Sequence, residues 1–167
     1  MLLKQDEIKE LESYLGFPIK RVEITLESRN PHDETFSYGL CQRFYNKNDE
    51  LKIAINKTTS ILLSLVKLSN EKNNKQISTY FSLLGNMYYI LGDFNKSIGC
   101  FMKALSYNKN DLTNWIELIF TLRVGGNFEV FEDLIFNLKK IYNAWKIDSE
   151  KRLNKEKVYE LINKVKN

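Results

Sequence analysis

The spacing of hydrophobic positions changes several times along this chain. Ile8, Leu11, Tyr14 and Leu15 share one helical stripe, with Asp6 placed to cap the start and Gly16 to stop the helix before Phe17-Pro18. Val22, Ile24 and Leu26 then alternate with Arg21, Glu23, Thr25 and Glu27, a period of two that predicts a half-buried strand. A polar turn centred on Asn30-Pro31 follows, and residues 35–45 alternate again with Phe36, Tyr38, Leu40 and Phe44 on one face. After a second turn at 46–50, Leu51, Ile53 and Ile55 form a third alternating run. The pattern predicts a helix plus a three-stranded antiparallel meander over residues 1–56. Three strands with one apolar face need a cover. Residues 57–75 supply a connecting helix for it, with Ile61, Leu62, Leu65, Val66 and Leu68 spread round more than half of the circumference.

Beyond residue 75 the pattern repeats. Phe81 recurs as Trp115, Leu84 as Leu118, Gly92 as Gly126 and Phe94 as Phe128, each 34 residues further on. In the first copy Leu84, Tyr88 and Leu91 fall on one face of a helix over about 78–91. Ile98, Phe101, Met102 and Leu105 fall on one face of a second, over about 95–107, with Gly92-Asp93 as the break between them. The second copy runs over about 112–124 and 129–145, broken at Gly125-Gly126-Asn127. A period of this length marks a helical repeat array. The first copy, Phe81-x2-Leu84-Gly85-x2-Tyr88, then Gly92-x-Phe94, then Ser97-x3-Phe101-x2-Ala104, resembles a tetratricopeptide (TPR) repeat. The second departs from that pattern: Ile119 stands for the small Gly, Leu122 for the Tyr, and Phe131 and Leu138 for the small residues of the second helix. Residues 146–167 carry Leu153, Val158, Leu161, Ile162 and Val165 on one stripe, the pattern of a capping helix that keeps the end of an array out of water. The expected fold is therefore α+β, with the helix and meander (1–56), the cover helix (57–75), two TPR-like hairpins (76–145) and the cap (146–167).

Composition narrows the function classes. At 167 residues, 43% of them hydrophobic, the chain can bury a core as one domain or one array with a small appendage. No apolar run reaches the ~18 residues of a membrane span, and Met-Leu-Leu runs directly into Lys4-Gln5-Asp6-Glu7, so neither a membrane segment nor a signal peptide is expected. Cys41 and Cys100 form no disulfide framework or metal pattern, which suits the cytoplasm. The net charge of +4 is mild, with acids and bases interspersed. Lys146, Lys151, Arg152, Lys155, Lys157, Lys164 and Lys166 crowd the C-terminal segment, but Asp148, Glu150, Glu156 and Glu160 lie at pairing distance along a helix. A nucleic-acid partner is accordingly disfavoured, with this basic helix as the only route to one.

Catalysis finds no foothold. His32 is the only histidine and sits in a polar turn, with no oriented partner to make it a base. Neither cysteine has a basic or histidine setting that would activate a thiol. The carboxylates lack metal-ligand spacing, and Gly125-Gly126 is not followed by the Lys-Ser or Lys-Thr of a phosphate loop. No enzyme activity, cofactor or metal is expected.

The TPR resemblance implies a concave groove lined by the first helix of each repeat, which holds a peptide or partner helix. The residues of those helices outside the Leu84/Tyr88 and Leu118/Leu122 stripes would face it: Ser82, Asn86 and Tyr89, then Thr113, Glu117, Phe120 and Arg123. Aromatic and Arg side chains are frequent binding anchors. Gly85-Asn86 also resembles the Gly-Asn of TPR domains that clamp a C-terminal carboxylate. Those carry a Lys where this chain has Ser82 and an Asn where it has Glu117, so a carboxylate would meet a like charge here. The expectation is a protein–protein interaction module, an adaptor or scaffold. The rival is a structural homo-oligomer joined through Phe36, Tyr38 and Phe44.

Overall fold

The computed structural model describes residues 5–20, 36–68, 70–108 and 111–125. Its regular elements are α1 (Gln5–Leu15), α2 (Ser37–Phe44), α3 (Asn48–Lys67), a 3₁₀ turn (Glu71–Asn73), α4 (Asn74–Leu91), α5 (Phe94–Tyr107) and α6 (Leu112–Val124). No strand occurs among the described residues, so the expected α+β fold with its three-stranded meander is overturned. The second expected strand is α2. The third is the first part of α3, which continues without a break into the expected cover segment (57–75) and ends at Lys67. The first expected strand, the turn that holds His32, the helix over 129–145 and the cap over 146–167 lie outside the described residues.

The correction has a plain physical cause. Phe36, Leu40 and Phe44 are four residues apart, a spacing that fits alternation and one face of a helix equally well. Tyr38 separates the two: in a strand it would share their buried face, whereas here it is 70% exposed while the other three are buried. In α3 the buried set is Leu51, Ala54, Ile55, Thr58, Ile61, Leu62 and Leu65, the three-and-four spacing of a helix packed along its whole length. Ile53, which the strand reading puts beside Leu51 and Ile55, is 47% exposed.

Leu11 and Leu15 of α1, Leu40 and Phe44 of α2, the apolar stripe of α3 and Ile77, Tyr80, Leu83 and Met87 of α4 form one continuous core. Arg43 clips the first three helices together at its edge. Its Nε donates to the Tyr14 carbonyl at 2.9 Å, a terminal nitrogen donates to Glu50 Oε2 at 2.9 Å, and the guanidinium lies 5.0 Å from the Tyr14 ring centre. That hydrogen bond holds the Glu50 carboxyl below its ordinary range.

Helices α4 and α5 form a tight antiparallel hairpin. Gly92, at φ +87°, takes the left-handed turn that ends α4, and the Asp93 side chain accepts the Lys96 N–H at 3.2 Å to cap α5. Close approach depends on Gly85, where an added Cβ would lie 2.7 Å from the Phe101 ring. Two buried hydroxyls tie the pair, Ser97 to the Gly85 carbonyl at 2.7 Å and Ser78 to the Ala104 carbonyl at 2.8 Å. Phe81 stacks on Tyr107 at 5.7 Å.

Candidate functional site

Helix α6 starts immediately after Asp111, whose side chain accepts the Thr113 N–H at 3.0 Å, the geometry of a helix cap. Leu118 and Leu122 are fully buried on α6, and Gly125, just past its end, lies against Phe94 of α5. A second face of α6 meets α4 through polar side chains. Asn114 Nδ2 donates to Ser78 Oγ at 3.0 Å, and one turn on Ser82 Oγ donates to Glu117 Oε2 at 3.0 Å. Asn86 Nδ2 reaches the other carboxylate oxygen at 3.1 Å and also donates to the Ser82 carbonyl at 2.8 Å. Both numbers in each pair rise together, Ser78 with Asn114 and Ser82 with Glu117, so α4 and α6 run parallel, side by side.

Of the residues expected to line a groove, Ser82, Asn86, Thr113 and Glu117 are buried. Three of them meet in the α4–α6 contact. Glu117 is only 8% exposed, and its carboxylate takes a donor on each oxygen. Hydrogen bonds to a charged group are worth about 1.5–3 kcal/mol each, and an unpaired buried carboxylate would cost more than that. Tyr89 is half-buried and packs edge-to-face on Phe94 with ring centres 5.6 Å apart, which makes it part of the hairpin end. Phe120 is 46% exposed on α6. Arg123 is also on α6, its side chain outside those described.

Three participants escaped the sequence reading. Ser78 and Asn114 make the second polar rung. Val124, 52% exposed, stands one turn beyond Phe120 and extends its apolar surface. A signal for the rungs was present: Ser78, Ser82 and Asn86 recur every four residues on α4, and Asn114, Glu117 and Thr121 follow the same face of α6. Polar stripes at helical spacing inside otherwise apolar helices mark either a groove or a polar contact, and only the packing of α4 on α6 decides between them.

The contact surface assigned to a homo-oligomer also changes. Phe36 and Phe44 are core residues, which leaves Tyr38 alone of that set on the surface. Phe17 stacks on Phe36 at 6.1 Å. Both cysteines are free, Cys41 exposed and Cys100 partly buried; burial, then the nearby Asp93 charge, pushes the Cys100 thiol up to about 11. Among the described residues no group of His, Cys, Asp and Glu could hold a metal ion, and no helix is long and apolar enough to cross a membrane.

No protein-family model, curated protein or solved structure matches this chain. The TPR resemblance thus stands on the residues quoted for it and on no wider similarity.

Proposed function

We propose that this protein is a protein–protein interaction module of TPR-like build, an adaptor or scaffold that seats a peptide or partner helix along α4 and α6. The observation that carries the proposal is the parallel, side-by-side arrangement of α4 and α6 with α5 returning between them. Successive first helices of a repeat array stand in this relation. The polar rungs hold the two helices at a fixed spacing, which is what a preformed binding surface needs, because ordering it on binding would cost affinity. On α6 the apolar pair Phe120 and Val124, one turn apart and both about half exposed, supplies anchors for an apolar partner side chain. The buried Ser82, Asn86 and Glu117 act as the frame of the surface. A cytoplasmic setting belongs to the same proposal, since Cys41 and Cys100 are both free.

The test is selection of peptides from a displayed random library on the purified chain, followed by titration of the best binder. Wild type and a Phe120→Ala/Val124→Ala variant, matched for circular dichroism, would be compared. Weakening of at least about tenfold is expected, the loss of one hot-spot anchor. Equal affinity for the folded variant would reject α6 as the binding surface.

A further inference from the structure

We infer that the partner seated on α6 is an amphipathic helix with an uncharged, apolar contact stripe, lying beside α6 as α6 lies beside α4. The inference rests on the binding proposal above and names the class of partner. The 34-residue period makes α6 the counterpart of α4, and the elements agree, since α4 ends at Leu91 and α6 at Val124, each followed by a glycine. The edge of α4 that receives α6 consists of Ser78, Ser82 and Asn86. One period on, the same positions hold Leu112, Ile116 and Phe120, and Val124 stands one turn beyond Phe120. Asn86 is only 5% exposed against α6, whereas its counterpart Phe120 is 46% exposed. The edge that seats a helix on α4 therefore recurs on α6 as a continuation of the same interface, with apolar residues in place of polar ones.

The chemistry of that edge selects its occupant. An extended segment would press its backbone N–H and C=O groups against an apolar stripe, which costs affinity, whereas a helix satisfies its own backbone. A helix with the polar face of α6 does not fit either. The Glu117 carboxylate is held by donors on Ser82 and Asn86, and the counterpart positions are Ile116 and Phe120. The incoming helix must carry apolar residues at i, i+3 or i+4, and i+7. Nor can a second copy extend the array head to tail. The counterpart of the Asn114, Glu117 and Thr121 face of α6 is Tyr80, Leu83 and Met87 of α4. That face is buried in its own core, where Thr58 Oγ1 of α3 donates to Met87 Sδ at 3.8 Å.

The test uses the full chain and the best binder from displayed random peptides of about 16 residues, long enough for a stable helix. Cα chemical shifts of the bound, isotope-labelled peptide should be continuously helical, with apolar residues at the stripe spacing. Binding should weaken at least about tenfold for Phe120→Ala/Val124→Ala, and again when proline replaces a mid-peptide residue off the stripe. Extended shifts in a binder that still depends on Phe120 and Val124 would overturn the helix and leave the binding proposal standing. If no peptide is selected, or none depends on those two residues, both fall. The remaining occupant is the chain's own 146–167, which begins one period after Leu112 and carries an apolar stripe. Phe120→benzoylphenylalanine, irradiated and mapped by mass spectrometry, should capture the selected peptide and give no product joining residue 120 to 146–167 in the free chain. Such an internal product would overturn the inference, because the edge would already be held from within.

Discussion

Replacing Gly85 by Ala tests the α4–α5 hairpin at its tightest point. The added Cβ would lie 2.7, 2.8 and 2.9 Å from three atoms of the Phe101 ring. Carbon atoms rest at about 3.5–4.0 Å, so ring or helix must move by close to 1 Å. The ring has little freedom to do so: Phe101 is fully buried, and the Ser97–Gly85 hydrogen bond at 2.7 Å opposes separation of the helices on the same turn. Overpacking of this kind costs about 1–3 kcal/mol, and three close contacts on an immobile ring put the cost near the top of that range. Against it stands about 1 kcal/mol gained by replacing Gly with Ala inside a helix. A net loss of about 2 kcal/mol is expected, which for a chain of this size lowers the melting temperature by about 6 °C. Urea unfolding followed by circular dichroism measures it. Gly99, exposed on α5 with nothing within 4 Å of an added Cβ, is the internal control. Gly99→Ala should stabilise by about 1 kcal/mol. In a Phe101→Leu background the Gly85→Ala penalty should largely vanish. If Gly85→Ala instead stabilises as much as Gly99→Ala, the two helices do not approach closely there and the hairpin geometry is wrong.

Further predictions follow from the corrected N-terminal half and from the titrating groups. Ile53→Lys should change stability by no more than about 0.5 kcal/mol in thermal unfolding, as expected of an exposed helical position, while Leu51→Ala should cost about 2–5 kcal/mol; equal sensitivity at both would favour the strand. Maleimide labelling of the native chain near pH 8 should modify the exposed Cys41 and spare Cys100, whose thiol is held up to about 11, so that two labels per folded chain would contradict the burial of Cys100. Arg43→Ala should raise the Glu50 carboxyl toward 4.5 in a carbon-detected titration. Because Glu50 is depressed in the folded state, the pair stabilises above the ordinary carboxylate range, and that contribution disappears as pH falls through the lowered value; an unchanged Glu50 titration would disprove the pair.

The α4–α5 hairpin was legible in the sequence because its signals are redundant. Leu84, Tyr88 and Leu91 hold helical spacing over two turns, Gly92 marks the stop, and Asp93 caps the next start. The N-terminal half misleads where the runs are short. Leu51, Ile53 and Ile55 alternate over only five residues, and their continuation through Thr58, Ile61, Leu62 and Leu65 carries the helical period that the short window hides. At Phe36, Leu40 and Phe44 the two periods coincide, and one exposed tyrosine decides between them. Around the candidate site, the sequence singled out Ser82, Asn86 and Glu117, but their burial was not legible. A polar residue on the first helix of a repeat can face a groove or a neighbouring helix, and the difference lies in inter-helix distance, which no local pattern encodes. Phe120 and Val124 stand out only once the packed faces of α6 are known.

The direction of α6 along α4 underlies the proposed binding surface. It can be measured directly by spin-label distances on the chain with Cys41 and Cys100 replaced. Labels at Lys75 and Val124 are on the first turn of α4 and the last of α6, and labels at Asn95 and Val124 both lie near the hairpin turn. From the pairing of Ser78 with Asn114, parallel helices separate Lys75 from Val124 by about 20 Å along the axis, at 1.5 Å per residue, and keep Asn95 close to Val124. A long first distance with a short second one is the predicted result. A short distance from Lys75 to Val124 with a long one from Asn95 would mean antiparallel helices, and would contradict the account.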